Sequence, residues 1–222
     1  MSDWFIMLPE VPEMNEFILT YYGHSCFTVE CANWRVALDP YSPGSVPGLG
    51  TPGIEADAVL CSHSHGDHGY TKAVRIRAHS AADPFTVEKI VCPHDDAGGA
   101  KRGMNTIHVL HAFGEKIVHM GDVGCPLPEE DMEKLRGALV LLIPVGGFYT
   151  IDAEQADAMA RGIDARVVVP MHYRTEKSGL EPIDRLEKFL ALRGDVRRFG
   201  TELRVTPASE RCTAVMQELM ER

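Results

Sequence analysis

The stretch Cys61-Ser62-His63-Ser64-His65-Gly66-Asp67-His68-Gly69 constrains this chain more than any other. Within it, His63, His65, Asp67 and His68 bring four side chains of metal-ligating type into six residues. Imidazole nitrogen and carboxylate oxygen suit Zn²⁺, and also Mn²⁺ or Fe²⁺. The two-residue spacing of His63 and His65 lets an extended or turning backbone aim both at one ion. Asp67 and His68 follow and can face a second. Ala58-Val59-Leu60-Cys61 reads as a short buried strand, and Gly66 and Gly69 permit tight turns. The expected local structure is a strand end that delivers ligands into a loop. A solvated histidine loop is the bland alternative, and it weakens with each partner found elsewhere in the chain.

The chain has 222 residues, enough to bury a core without disulfide or metal staples, and reads as one domain over 1–222. Its formal net charge is −10 and no basic stripe appears, which argues against a general nucleic-acid or membrane-surface binder. Two bound divalent cations would reverse the local sign, so a small anionic substrate is allowed. The cysteines are scattered with no C-x-x-C pair, and the first residues carry Asp3 and no basic region of an export signal. The reading is reduced thiols in a cytosolic protein. Cys61 and Cys92, each two residues before a candidate ligand, read as small apolar residues of buried strands.

Residues 1–15 form a Pro- and acid-containing leader expected to pack across the body or a partner subunit. Strands are expected at 17–21, 26–30 and 34–38, the last ending at Asp39-Pro40. Two long Gly-rich loops, 41–57 and 94–105, read as rims of a functional cleft. A short helix is expected over 67–73, then strand-like pieces at 74–78 and 85–92, and a hairpin of 106–110 with 116–120. A helix over 128–138 precedes the apolar run 139–143, a strand covered on both faces. Asp152 and Gln155 form a capping box for a helix that stops at Gly162. Val167-Val168-Val169 reads as a strand ended by Pro170. Pro182 opens a helix that Gly194 closes. A strand at 196–199 and a helical tail from Ser209 complete the reading. A strand-rich first half and a second half alternating helix with buried strand predict two mixed sheets face to face with helices outside.

Three further segments place a candidate ligand after a strand: His94-Asp95-Asp96, His119-Met120-Gly121-Asp122 and His172. Singly each is weak, because most buried histidines are only hydrogen-bonded. By ligand chemistry alone, Asp95 could serve in place of His94. Together with Tyr22-Gly23-His24-Ser25-Cys26-Phe27, Leu38-Asp39-Pro40, Arg102-Gly103-Met104-Asn105, Ile143-Pro144-Val145-Gly146-Gly147 and Pro170-Met171-His172-Tyr173, the order H-x-H-x-D-H, His, Gly-Asp, His resembles the metallo-β-lactamase superfamily. The local resemblance is to its small metal-dependent hydrolases, the branch that includes ascorbate-6-phosphate lactonase-like proteins.

The resemblance implies an αββα sandwich with two metal ions at one edge, zinc first, manganese or iron as alternatives. His63, His65 and His94 would hold one ion, Asp67, His68 and His172 the other, and Asp122 would bridge them. Two such ions lower the pKa of a shared water, and the hydroxide attacks an ester, lactone or phosphodiester of a small, anionic substrate. Asp67 would also orient that hydroxide, with His24, His119 or Tyr149 as assistants. Asp39 would orient a ligating imidazole. Arg102 and Lys101 could meet an anionic substrate, while His79, His108 and His111 read as structural or exposed. An RNA-processing nuclease and a non-catalytic metal-binding protein on the same fold are the competing expectations. No membrane or nucleic-acid partner is expected, and a homo-oligomer is allowed.

Overall fold

The computed structural model describes residues 15–78 and 82–219. His79 and all but the last residue of the expected leader lie outside them. Five strands form one sheet: β1 (Phe17–Gly23), β2 (Cys26–Cys31), β3 (Trp34–Leu38), β5 (Ala58–Leu60) and β13 (Glu202–Val205), in the order β13-β1-β2-β3-β5. Seven form a second: β7 (Thr86–Pro93), β8 (Met104–Ala112), β9 (Glu115–His119), β10 (Val140–Pro144), β11 (Val167–Met171), β12 (Val196–Arg198) and β14 (Cys212–Val215), in the order β12-β14-β11-β10-β9-β8-β7. A two-stranded ribbon pairs β4 (Ile54–Ala56) with β6 (Val74–Ile76).

Period-two alternation sets the faces of the first sheet. Leu19, Tyr21, Phe27, Val29, Val36 and Leu38 point into the main core, where they join Ile107 and Leu142 of the second sheet. Burying a side chain of that size contributes roughly 1.5–3 kcal/mol. β10 is buried at every position, as the uninterrupted run 139–143 requires. On its outer face packs α2 (Ala153–Ile163), which is flanked by α1 (Glu129–Leu135) and α3 (Leu186–Leu190). The expected capping box starts α2: Gln155 N donates to Asp152 Oδ1 at 2.9 Å, and Asp152 N donates to Gln155 Oε1 at 3.0 Å. Over the other face of the first sheet, Tyr22, Cys26 and Ala37 pack under Tyr41, Val46, Leu49 and Ile54. The expected sandwich is therefore present, and among the described residues that outermost layer is loop and ribbon rather than helix.

Strand direction places the chemistry. β2 is antiparallel to β1 and β3, and β5 is parallel to β3, so β1, β3 and β5 run the same way. β8 is antiparallel to β7 and β9, while β10 and β11 are parallel to β9. Hence β7, β9 and β11 also share a direction. The residues just after these six strands are His24, Asp39, the 63–68 cluster, His94, Asp122 and His172.

Several local expectations are corrected. Residues 67–73 are not a helix. His68 N and Gly69 N both bond to His65 O, but Tyr70 N is taken by Pro40 O at 2.8 Å, and only a 3₁₀ turn at Thr71–Ala73 follows. β5 is half-buried rather than buried. The first helix ends earlier than Ala138, at Leu135. Pro170 does not end its strand. Val167 N bonds to Leu139 O, so by alternation Pro170 turns its nitrogen away from β10 toward β14, whose pairing stops at Val168. Pro182 does not open a helix, because Asp184 N is held by Gly146 O at 2.6 Å, and α3 begins only at Leu186. The tail from Ser209 forms β14 instead of a helix, since Cys212-Thr213-Ala214-Val215 fills a parallel slot between β11 and β12.

Candidate metal centre

Two groups of donors converge at the common strand edge. His63, His65 and His94 each bring one ligating atom within 4.8 Å of the others. His24, Asp67, His68 and His172 do the same. Asp122 lies between the groups. Its Oδ2 is 3.4 Å from Nε2 of His94, 3.1 Å from Nε2 of His68 and 3.3 Å from Nε2 of His172. Every residue expected as a ligand is thus brought together, and His24 joins them.

The cluster is oriented by Asp39, which is fully buried at the end of β3. Ser62 N donates to Asp39 Oδ1 and Ser62 Oγ donates to Oδ2, both at 2.6 Å. With its hydroxyl proton spent on Asp39, Ser62 Oγ accepts from His63 Nδ1 at 2.9 Å. His68 Nδ1 donates to Asp39 Oδ2 at 2.8 Å. Both imidazoles therefore carry a proton on Nδ1 and turn Nε2 to the centre. Burial works against the Asp39 carboxylate, but His119 and His68 hold its pKa down to about 2.

Asp122 is aimed by backbone fit. Its N–H donates to Asn105 Oδ1 at 2.8 Å, and Asn105 Nδ2 donates to Met120 O at 2.8 Å. Gly121 has φ +55, and a Cβ there would sit 2.3 Å from Asn105 Oδ1. Sequence reasoning placed Asn105 in a motif without giving it this part; an amide opposite a Gly-Asp turn was the available signal.

His94 and Asp95 separate cleanly. The Asp95 carboxylate accepts from the backbone N–H groups of Ala97, Gly99, Lys101 and Arg102 at 2.8–2.9 Å. Against the cost of desolvation, these donors hold its pKa down to about 2. Asp95 thus builds the loop, and His94 faces the centre. His119 also stands apart: Gly121 N donates to its Nδ1, and its Nε2 donates to Ser25 O at 2.9 Å. Cys92 is buried in the core and Cys61 half-buried, with burial raising both thiols to about 11, and neither belongs to either group.

Burial lowers His63 to about 3 and His24 to about 4, so both imidazoles are neutral at neutral pH. Burial alone would also lower His68, but Asp122 and Asp39 raise its affinity for a proton well above the ordinary value. Surroundings that attract a proton so strongly also attract a metal cation, and the two compete. Nε2 of His63, His68 and His172 and Oδ1 of Asp122 are buried without a hydrogen bond. Unpaired buried polar atoms cost about 1–3 kcal/mol each, so this convergent set fits a cation that would satisfy several at once.

A cleft of about 320 Å³ opens onto His65, Asp67, His94 and Asp122. Its walls include Ser45 from loop 41–57, Arg102 from loop 94–105, and Tyr149, so both long loops do border the cleft. Lys101 does not line it and pairs with Asp96 at 2.6 Å.

This fold is that of a known class. Residues 18–172 match the family profile of the beta-lactamase superfamily domain, and the chain belongs to the metallo-β-lactamase superfamily as a metal-dependent hydrolase. It is 30% identical over 193 residues to a UPF0173 metal-dependent hydrolase of Ignicoccus hospitalis, covering 71% of this chain and 82% of the relative. A homologue of the same description from Opitutus terrae is 28% identical over 238 residues, covering 86% and 97%. Among solved structures, a Thermotoga maritima protein described as a Zn-dependent hydrolase of the metallo-β-lactamase superfamily superposes with a TM-score of 0.70. It is 29% identical, with 90% of this chain and 98% of that one covered. Among the described residues, no helix is long and apolar enough to cross a membrane.

Proposed function

We propose that this chain is a dinuclear metal hydrolase that cleaves an ester, lactone or phosphodiester bond of a small molecule. The observation that supports it most is the position of Asp122 Oδ2, within 3.1–3.4 Å of imidazole nitrogens drawn from both donor groups. A carboxylate so placed is suited to bridging. His63, His65 and His94 would hold one ion, Asp67, His68 and His172 the other, with zinc the ion that best matches nitrogen-rich ligation. When bound, such ions supply Lewis acidity and a water of near-neutral pKa.

The side chains supply the rest. Asp67 is 20% exposed at its side chain and reaches the cleft. Burial disfavours its charge, but His24 and His68 hold its carboxylate ionised, well below the ordinary range. Asp67 Oδ2 orients the attacking water and accepts its proton. His24 Nε2, 3.3 Å from Asp67 Oδ2, shares that proton, and Asp67, which faces the cleft, returns it to the leaving oxygen.

The test is a metal-supplemented hydrolysis screen over phosphodiesters, lactones, thioesters and phosphorylated sugar acids. At least one class should turn over and stop on chelation. Metal-loaded, folded protein inert toward every class would overturn the reading.

A further inference from the structure

Among the described residues, Arg102 is the one lysine or arginine that lines the cleft. It makes no ion pair and no side-chain hydrogen bond among the described residues. Its acidic neighbours are already engaged: Asp96 pairs with Lys101, and Asp95 is saturated by backbone donors, including Arg102 N itself at 2.8 Å. The guanidinium lies over the Tyr149 ring, 5.2 Å from its centroid. Tyr149 is braced in turn by Phe148, whose ring meets it edge-on at 4.8 Å. Phe148 is 64% exposed and has φ +58, a left-handed conformation that is strained for a bulky residue. An exposed aromatic held in a strained backbone beside a cleft is built for something other than core packing.

We propose that Arg102, presented on the Tyr149 ring, is the specificity residue that selects substrates carrying a carboxylate or phosphate group away from the scissile bond. A guanidinium stacked on an aromatic face keeps its in-plane N–H groups free, and that planar fork matches an oxyanion bidentately. Asp67 and Asp122, the carboxylates lining the same cleft, lie in the metal centre, so Arg102 offers the cleft its uncompensated positive charge. The loop that presents it is fixed by Asp95, and its flank carries the ligand His94, so the recognition arm and the metal centre share one support. Tyr149 acts through Arg102 and is a positioning residue. This inference rests on the hydrolase reading above and narrows it to a substrate class.

The zinc-loaded full chain should be tested on two matched pairs. One is p-nitrophenyl butyrate against mono-p-nitrophenyl glutarate, for the carboxylate. The other is glucono-δ-lactone against its 6-phosphate, for the phosphate. Wild type should prefer the charged member of at least one pair by about tenfold or more in kcat/KM, carried by KM, as expected for a charge-assisted contact. In Arg102→Gln that ratio should collapse toward one, and Arg102→Lys should recover part of it. Tyr149→Phe should keep the ratio and Tyr149→Leu should lower it. Equal turnover of charged and neutral members by wild type, or a fall of both by the same factor in Arg102→Gln, overturns the proposal. Inertness toward all four compounds would count against the hydrolase reading instead. Arg102 is then judged by saturation-transfer NMR with the unreactive glutarate monoanilide and butyranilide on metal-free protein. The charged anilide should bind wild type and not Arg102→Gln; equal binding to both proteins contradicts the proposal.

Discussion

The backbone N–H of His172 donates to the carbonyl of His24 at 2.9 Å, and this bond ties the second sheet to the first at the metal centre. Both residues hold left-handed backbones, φ +52 and +55, and their rings lie 4.1 Å apart. The same His24 carbonyl accepts from Tyr21 Oη at 3.1 Å. His24 is thus a joint of the sandwich as well as a candidate proton carrier, and its two parts are separable by mutation.

His24→Gln keeps the carbonyl and removes the ring. If the ring carries protons, metal stoichiometry measured by elemental analysis should stay at the wild-type value. Turnover of the best substrate should fall about 10²–10⁴-fold, the usual loss on removing a general acid or base. Loss of one ion from the variant would instead make His24 a ligand of the second group.

Asp122→Asn should fold, as judged by circular dichroism, yet lose dinuclear metal binding and at least about 100-fold in turnover, since it removes an anionic oxygen from between two cations. The amide preserves volume and the backbone bond to Asn105. A folded variant with two ions and unaltered turnover would make Asp122 structural.

Asp39→Asn should weaken metal affinity by about 10–100-fold, the range for a group that orients ligating histidines. It touches Ser62 and His68, so chelator competition is the direct assay. Unchanged affinity would show that the His63 and His68 tautomers are set without it.

Much of this centre was legible in the sequence because its donors are spelled out locally. The H-x-H-x-D-H spacing, and a His or Gly-Asp after each later strand, pointed to the side chains that converge here, and the family resemblance sorted them into candidate ligand sets. Asp39 was visible as the residue ending a strand. His24 in the second donor group, Asn105 behind Asp122 and Asp95 as a loop builder were not. Each depends on which backbone group points at it across more than one strand, and no periodicity encodes that. The fold shows the same division. Strands with clean alternation, such as β1 to β3, agree with expectation. The tail from Ser209, expected as a helix, instead fills an open slot beside β11 as β14. Pro182 misled because Gly146 held the backbone out of a helix.

His108 gives a test of acid stability outside the metal centre. Burial, and then the neighbouring His119, lower its pKa from 6.5 to about 4. The unfolded chain therefore takes up a proton near pH 6.5 that the folded protein refuses until about 4. Stability is full above 6.5 and is lost as pH falls toward 4, by no more than about 3 kcal/mol from this one residue. In metal-free protein, His108→Leu should show a smaller drop in urea midpoint between pH 7 and pH 5 than wild type. An equal drop would mean that His108 is already protonated in the fold.

The central claim is that two donor groups share Asp122 and hold two ions. Anomalous diffraction from zinc-equilibrated crystals tests it directly. The account predicts two zinc peaks per chain, one enclosed by His63, His65 and His94, the other by Asp67, His68 and His172, with Asp122 between them. A single peak at saturating zinc, with Asp122 and His172 outside its coordination sphere, would contradict it.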